Sequence, residues 1–427
     1  MRSHSWPTRL VVSLCSFLAL SCGSPAEPEP PDPNAVTLDA CTFRPMVRTA
    51  RTGGVVQAGA LSAGAAEHVI DAPVGTTLGA YTRAGFLGGQ VDDRVVPFAG
   101  KFVPSVGIAA APRVKALALT AGNETVLILK VDVGLMFEGL LFDLEERLGD
   151  DFAGKVLLAA SHSHSAWGQQ SGHSGLEIGN GPFRDAVHAA FLDALEQAAR
   201  AALEDRRPAQ LGIHVDRDFD PSDALSRDRR PENDELMGGP RKDDTLVLIR
   251  VDGMDDRPIA VLPIFGVHGT LNDQDNHLAS SDSTGGLERV LQEQFDDEVV
   301  VMHLQGAAGD VSPRGYGRID CGLAPGLPGE ACTDWLSEEG FGRMAAPVMM
   351  AAWERAGEAR VSQLEMEMVT RSIALGPNPE TFTIRGGALR YAPFDLTRVA
   401  DGRVFADAGS ILSPIDEFNP ARRAALW

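Results

Sequence analysis

The sequence predicts an α/β fold in which a large mixed β-sheet is flanked by helices. Short apolar runs with strand character alternate with longer segments of helical spacing, and turn residues separate them. The chain has 427 residues and is 44% hydrophobic, which is enough for one large domain or two ordinary ones. No internal repeat is evident. We expect a single large domain that begins at about residue 36.

The strands are predicted from short apolar runs with strand character. They are expected from about Glu67 onward and over Val114–Thr120, Thr125–Met136, Val156–Ala160, Gln210–Val215, Thr245–Val251, Ile259–Val267, Glu298–Leu304 and Val361–Leu375. Helical spacing of apolar residues predicts helices over Glu138–Leu148, Pro182–Glu204, Gly286–Phe295 and Asp334–Ala356.

The charge balance limits the kinds of partner. The formal net charge is -21, and no basic stretch is interleaved with aromatic residues. This argues against a nucleic-acid partner and against electrostatic docking to anionic lipid.

The N-terminus resembles a bacterial export signal. Two arginines precede an apolar run over Leu10–Leu20, which is too short to span a bilayer. Ala-Leu-Ser-Cys at 19–22 resembles a lipobox, so we expect a signal peptide over 1–21 and lipid on Cys22; an ordinary cleaved signal is the alternative. The Pro/Glu-rich residues 22–35 are typical of an extended tether. Gly23 favours an outer-membrane lipoprotein, periplasmic or at the cell surface.

Three cysteines remain in the body of the protein. In an exported protein, a local disulfide between Cys321 and Cys332 is the favoured pairing, and it leaves Cys41 odd. The spacing has no zinc-finger character.

Two histidines follow a predicted buried strand. His162 and His164 lie in SHSHS, directly after Val156–Ala160. A His-x-His pair at a strand end offers two nitrogens to one metal ion or one substrate. A polar loop that happens to contain two histidines is the alternative.

Three further stretches carry residues of chemical interest. His268 follows another apolar strand, and Gly269 comes next, which leaves space beside the imidazole. Asp310 and Ser312 follow small residues in LQGAAGDVSPRG, where they could bind a hydroxyl, act as a nucleophile or merely cap a turn. The loop SRDRRPEND at 226–234 holds three arginines, which form a solvated face or hold an oxyanion. The chain has no G-x-S-x-G motif, so an α/β-hydrolase triad is unsupported.

As an ordered set, these stretches resemble the neutral (alkaline, non-lysosomal) ceramidase family. SHSHSAWG is similar to that family's T-H-T-H-S-G-P-G, VHGTLNDQDNHLASSDSTGG to H-G-T-S-M-N-N-T-N-x-L-x-S-x-D-N-x-G, and AAGDVSPRG to G-D-V-S-P-N. VDVGLM, GAYTRAG and SRDRRPEND resemble three further family motifs in the same order. The resemblance covers roughly Gly79 to Pro313.

The resemblance implies a zinc-dependent amide hydrolase that cleaves N-acylsphingosine, a ceramide, to a fatty acid and sphingosine. It implies that His162 and His268 bind Zn2+ and that His164 and Arg227 polarise the scissile carbonyl.

The same resemblance assigns residues on the substrate side. Asp310 would hold the primary hydroxyl of the substrate, and Ser312 would be the nucleophile or, as we favour, would orient the substrate. Residues 36–427 would form the catalytic domain, and residue 427 is too early for the family's C-terminal immunoglobulin-like domain.

The chain also departs from the family pattern. The family completes its zinc site with a glutamate and a tyrosine, and neither Glu330 nor Tyr391 matches these with the expected surroundings. Leu-Ser-Arg at 225–227 replaces Asn-Arg-Ser, so Arg229 and Arg230 are rivals of Arg227. Two other functions therefore stay open: an inactive lipoprotein that binds lipid or a surface partner, and a metallohydrolase of another amide or ester.

Overall fold

The computed structural model describes residues 56–73, 75–79, 102, 104–171, 179–181, 183–229, 242–272, 276–296, 298–313, 319, 335–368, 399–400 and 403–404. Its strands are β1 (Gly59–Ala60), β2 (Ser62–Val69), β3 (Gly107–Ile108), β4 (Arg113–Ala121), β5 (Glu124–Val131), β6 (Val156–Ala160), β7 (Arg207–Asp216), β8 (Arg227–Asp228), β9 (Leu246–Gly253), β10 (Pro258–Phe265), β11 (Leu278–Ala279), β12 (Val300–Val301), β13 (Leu304–Gln305), β14 (Val311–Ser312), β15 (Gln363–Leu364), β16 (Val399–Ala400) and β17 (Arg403–Val404). Its helices are α1 (Glu138–Leu148), α2 (Asp185–Glu204), α3 (Asp282–Gln292) and α4 (Trp335–Ala356), with 3-10 turns at Asp150–Phe152 and Gly357–Ala359.

Nine strands form one mixed sheet in the order β12, β10, β9, β7, β2, β4, β5, β6, and β13 also pairs with β10. The pairs β5–β6, β10–β12 and β10–β13 are parallel, and the other pairs are antiparallel. β2 and β7 share only the register pairs Ser62–Pro208 and Ala63–Arg207. The sheet therefore consists of two well-paired halves, β2-β4-β5-β6 and β7-β9-β10-β12/β13, joined at a narrow contact.

The two halves pack face to face, and helices cover their outer faces. Apolar side chains from both halves, such as Leu117, Leu119, Val251 and Leu262, form one inner core. Alternate residues of β4 and β5 pack with α1 and α2 in a second core. Residues of β9 and β10 pack with α3 and α4 in a third. This alternation is what strand geometry requires of a sheet that is buried on both faces.

The predicted large mixed sheet with flanking helices is confirmed. α1 and β6 have the predicted bounds, and the turn between β4 and β5 is the predicted hairpin, with Gly122 at φ 59°.

Several predicted bounds were wrong. β2 begins at Ser62 rather than near Glu67, β5 ends at Val131, β10 ends at Phe265, and α3 begins one turn before Gly286. The strand predicted over Glu298–Leu304 is split into β12 and β13. The strand predicted over Val361–Leu375 is found at Gln363–Leu364 and not at residues 365–368, and its remainder lies outside the described residues.

The predictions for the N-terminus and the cysteines lie outside the described residues. These are the signal peptide, the tether, Cys22, Cys41 and the Cys321–Cys332 pair. Within the part of the chain that the structure describes, no helix has the length and apolarity needed to cross a bilayer.

Candidate metal centre

Three imidazoles meet beyond the ends of β6 and β10. The Nε2 atom of His268 lies 3.0 Å from that of His162 and 3.1 Å from that of His164. The Nε2 atoms of His162 and His164 are 3.4 Å apart. The three histidines, called the histidine triad below, are partly or largely buried and could hold one metal ion. The ends of these two strands therefore bring the three histidines together.

The spacing of the triad matches the ligand spacing of a metal ion. Zinc–nitrogen bonds of about 2.0–2.1 Å at tetrahedral angles place two ligand nitrogens about 3.3 Å apart. The three Nε2 separations, 3.0, 3.1 and 3.4 Å, lie around this value. The triad can thus supply up to three ligands on one side of an ion.

Backbone carbonyls fix the tautomers of two members. Nδ1 of His162 lies 2.6 Å from the Gly134 oxygen, and Nδ1 of His268 lies 3.0 Å from the Ala308 oxygen. A carbonyl oxygen only accepts hydrogen bonds, so each Nδ1 carries the proton and donates. In the neutral rings both Nε2 atoms then point lone pairs at each other across 3.0 Å, an arrangement that a cation bound between them would stabilise.

The surroundings favour neutral imidazoles. Burial lowers the pKa of His164 to about 3, and the neighbouring His162 and His268 and the charge of Arg229 act in the same direction. Burial likewise lowers the pKa of His268 to about 4 and also lowers the pKa of His162. Near pH 7 the rings therefore hold no competing proton.

A close backbone contact joins the two histidine-bearing segments. Ser163 and Gly269 form a parallel bridge, and the His164 amide donates to the Gly269 oxygen at 2.9 Å. A Cβ atom at Gly269 would lie 2.4 Å from the His162 carbonyl oxygen, so only glycine fits. His162 has a φ of 60°, a conformation that is uncommon for a residue with a side chain. We call this contact, in which Ser163 and His164 after β6 meet Gly269 after β10, the seam.

A buried carboxylate orders the loop that follows His268. Asp282 accepts hydrogen bonds from the amides of Leu271, Asn272 and Ser283 at 2.7, 3.1 and 2.7 Å. The Ser283 hydroxyl in turn donates to the His268 oxygen at 3.1 Å. Burial raises the pKa of Asp282 to about 7, and the neighbouring Glu338 adds to the rise.

The family model for neutral/alkaline non-lysosomal ceramidase, N-terminal, matches residues 83–362. The chain belongs to this ceramidase family.

Relatives and a solved structure agree with this assignment. The chain is 26% identical over 172 residues to "Neutral ceramidase" of Mycobacterium tuberculosis, covering 38% of this chain and 27% of the relative. It is 23% identical over 248 residues to "Neutral ceramidase B" of Dictyostelium discoideum, covering 54% of this chain and 34% of the relative. The fold is similar to the crystal structure of neutral ceramidase from Pseudomonas aeruginosa, with a TM-score of 0.56, 18% identity and coverage of 72% of this chain and 46% of that chain. The chain thus spans less than half the length of each of these proteins.

Arg227 and Ser312, which the ceramidase resemblance singled out, lie on a strand pair beside the triad. β8 and β14 are antiparallel, with Arg227 opposite Ser312. The amide of His268 donates to the Val311 oxygen at 3.0 Å, which places β14 against the triad. Asp310 precedes this strand and is half-buried.

The charge of Arg229 reaches the triad. Its positive charge lowers the pKa of all three histidines. Its Nη2 donates to the Gly309 oxygen at 2.7 Å, and its amide donates to the Asp310 oxygen at 2.9 Å. The role predicted for Arg227 stays a prediction, and Arg230, Glu330 and Tyr391 lie outside the described residues.

The sequence reasoning missed the groups that support the triad. These are the carbonyls of Gly134 and Ala308, the carboxylate of Asp282 and the side chain of Gln305. Gln305 stands directly after a predicted strand, but one glutamine at a strand end is no distinctive signal.

Proposed function

We propose that this chain is a zinc-dependent amidohydrolase that cleaves N-acylsphingosine to a fatty acid and sphingosine. The observation that carries the proposal is the pair of Nε2 atoms of His162 and His268, which face each other at 3.0 Å while both Nδ1 atoms donate to backbone carbonyls. Family membership supports the reaction, because the relatives are named neutral ceramidases.

His162 and His268 would hold the metal through Nε2. When bound, zinc supplies a Lewis acid and lowers the pKa of a bound water toward about 7. The carbonyls of Gly134 and Ala308 keep both rings in the ligating tautomer, and such supporting hydrogen bonds increase the basicity of the ligand nitrogen.

His164 has two roles that fit its position. Its Nε2 lies within 3.1–3.4 Å of the other two, which suits a third ligand. The family resemblance instead suggests that it polarises the scissile carbonyl. The variant His164→Ala distinguishes the two roles. If His164 is a ligand, the variant binds metal more weakly. If His164 acts on the carbonyl, the variant keeps its metal content and has a lower kcat.

The strand pair β8–β14 would form the substrate side of the site. The guanidinium of Arg229, anchored on the Gly309 oxygen, places a positive charge beside the triad where an amide oxygen would gain negative charge. Arg227 is the competing residue for this role. Asp310 would accept a hydrogen bond from the substrate's primary hydroxyl, and Ser312 would orient the substrate, since an activated water makes a serine nucleophile unnecessary.

The location of the enzyme is a separate part of the proposal. The apolar run 10–20 followed by Cys22 supports export and an N-terminal lipid anchor that would keep the enzyme at a membrane. Intact-mass measurement on membrane fractions tests this, because Cys22→Ser should abolish a diacylglyceryl mass increment and release the protein. An unmodified Cys22 in the wild type would contradict the anchor.

The test of the reaction uses the full chain with and without zinc. We expect one zinc per chain and release of fatty acid from a fluorescent ceramide, and His162→Ala and His268→Ala should lose both. Loss of a metal worth several kcal/mol of transition-state stabilisation should lower kcat/KM at least about a thousandfold. His214→Ala, a half-buried histidine on β7, is the matched control and should keep zinc and activity.

Each other outcome contradicts a defined part of the proposal. A wild-type chain that binds no zinc overturns the metal centre. Zinc binding with hydrolysis of short N-acyl amino acids but not of ceramide makes the protein a metallohydrolase of another substrate. Zinc binding without hydrolysis of either makes it an inactive member of the family that binds lipid or a surface partner.

A further inference from the structure

The side chain of Gln305 connects the two strand ends that carry the metal-binding histidines. Its Nε2 donates to the Ser161 oxygen at 2.7 Å and to the Val267 oxygen at 2.6 Å. Its Oε1 accepts from the Val267 amide at 3.2 Å. Ser161 and Val267 are the residues directly before His162 and His268.

These bonds complete the seam. β6 and β10 belong to different halves of the sheet, and among the described residues their ends share one backbone bridge, Ser163–Gly269. The Gln305 amide pairs with both backbone groups of Val267, as a neighbouring strand would, and uses its second N–H on Ser161. The Gln305 side chain thus makes, between the two histidine-bearing segments, the backbone hydrogen bonds that a strand would otherwise make.

The chemistry of this position requires a primary amide of this length. Two carbonyl oxygens need two donors, and one backbone N–H needs an acceptor. A carboxylate would offer no donor and would face two carbonyl oxygens, and a leucine would leave three buried backbone groups without this partner.

The backbone of Gln305 is held as well. β13 pairs with β10 at Phe265–Gln305, and three residues further on the Ala308 oxygen accepts from Nδ1 of His268. The side chain therefore starts from a fixed strand, and its reach to Ser161 sets the separation of the two segments.

We infer that Gln305 is a positioning residue that holds the strand ends of His162 and His268 at metal-ligating distance and so sets the affinity of the site for its divalent metal. The inference rests on the proposed metal centre. It concerns a residue that touches neither metal nor substrate, so its effect acts through the two histidines.

The test compares Gln305→Leu and Gln305→Glu with Gln292→Leu in the full chain. Gln292 is the matched control: it is also half-buried and its Nε2 donates to a backbone oxygen, that of Val299, at 2.9 Å, but it does not contact the seam. Zinc affinity is measured by competition with a chelator, and the visible spectrum of the cobalt-loaded protein reports ligand geometry. Urea unfolding of the metal-free proteins measures stability.

Supporting the histidine ligands from outside the metal shell is commonly worth ten- to a hundredfold in metal affinity. We expect both Gln305 variants to bind zinc ten- to a hundredfold more weakly than the wild type and to show an altered cobalt spectrum, while Gln292→Leu keeps the wild-type affinity and spectrum. Gln305→Glu has nearly the shape of glutamine, so it keeps the test available if Gln305→Leu does not fold.

The outcomes separate this inference from the function it rests on. If the wild type binds zinc and both Gln305 variants match its affinity and spectrum, the positioning role is wrong and the metal centre stands. If Gln292→Leu weakens zinc binding as much as Gln305→Leu does, the effect is general destabilisation and the inference is also wrong. A wild type that binds no divalent metal overturns the metal centre and this inference together.

Discussion

Two buried polar clusters lie close to the end of β5, and they balance their charges in different ways. The first contains Lys115, Lys130, Asp132 and Glu288, and we call it the lysine cluster. Nζ of Lys130 contacts Asp132 and lies 3.1 Å from Oε2 of Glu288, while Nζ of Lys115 lies 3.0 Å from the same oxygen. The second is the histidine triad.

The lysine cluster contains its own counter-charges. Burial disfavours the charge on Lys130, but Asp132 and Glu288 outweigh burial and raise its pKa. Burial also opposes ionisation of Asp132, and Lys130 nevertheless lowers the pKa of that carboxyl. Two lysines therefore face two carboxylates, and the charges of Lys130 and Asp132 stabilise each other.

The histidine triad itself contains no pair of opposite charges. It brings together three bases with lowered pKa values, and the nearby charge of Arg229 is of the same sign as a metal ion. The difference shows which cluster is structural. The lysine cluster pairs opposite charges within the chain, whereas the cation proposed for the triad would come from outside it.

The largest effect is expected from breaking the lysine cluster. Lys130→Met leaves Asp132 and part of the Glu288 charge buried without their cation, which should cost about 3–5 kcal/mol in the free energy of unfolding. Urea denaturation with and without zinc measures this cost, which should be the same in both conditions. Arg147→Met is the matched control, because the Arg147 pairs with Asp193 and Glu196 are exposed and should be worth about 0–1 kcal/mol. A Lys130→Met protein as stable as the control would contradict the assignment of this cluster as structural.

A pH effect of about 3 kcal/mol is expected from His303, which borders the lysine cluster. Burial lowers its pKa to about 4; Glu288 opposes this shift and Lys130 adds to it. As pH falls from about 6.5 to about 4, His303 takes up a proton in the unfolded chain but stays neutral in the folded chain. The free energy of unfolding therefore decreases over this range. The difference in unfolding free energy between wild type and His303→Gln, followed from pH 7 to pH 4, should therefore shrink by about this amount.

The difference measurement is needed because Asp282 acts in the opposite direction. Its folded pKa of about 7 exceeds the 3.8 of an aspartate in the unfolded chain, so its contribution to stability is lost as pH rises through this range. Asp282 is present in both proteins and cancels. A pH-independent difference would show that His303 titrates normally in the folded chain.

Zinc should stabilise the triad by a smaller and adjustable amount. At a free concentration one hundred times its Kd, a ligand that binds only the folded state adds about 2.7 kcal/mol. Thermal unfolding at increasing zinc should show this increment in wild type and in Lys130→Met, and not in His162→Ala. An equal increment in His162→Ala would mean that zinc binds elsewhere.

The smallest effect tests the seam itself. Gly269→Ala places a Cβ atom 2.4 Å from the His162 oxygen, and such overpacking should cost about 1–3 kcal/mol and separate the two histidine segments. Gly309→Ala is the control, because a Cβ there meets no atom within 4 Å. We expect zinc affinity to fall in the first variant and to stay unchanged in the second. Equal affinities in both would exclude the close contact as a determinant of the site.

The sequence was sufficient where one local pattern determines the structure. The leucine spacing of α1 and the apolar run of β6 predicted those elements with the observed bounds. β2 was placed too late because Ser62 is followed by Ala and Gly residues, which are poor strand formers. The structure needs Gly64, since a Cβ there would lie 2.4 Å from the Ala202 oxygen of α2.

Tertiary contacts explain the other differences. The strand expected over 298–304 is interrupted where the His303 amide turns to donate to Glu288 at 2.7 Å. α3 begins early because Asp282 caps a loop through long-range hydrogen bonds that no local pattern reveals. The histidines of the site were foreseeable from their strand ends, but Gln305 was not, since its partners lie 144 and 38 residues away.

The seam also limits when the proposed metal ion could be captured. His162 and His268 are 106 residues apart, and the supporting Gln305 and Ala308 follow later still in the chain. A growing polypeptide has only half of the pocket while β6 leaves the ribosome, and it must be synthesised to beyond residue 308 before the pocket can close. Loading of the proposed metal ion would therefore be a late step, after the part of the chain that carries both histidines and their supports has been synthesised.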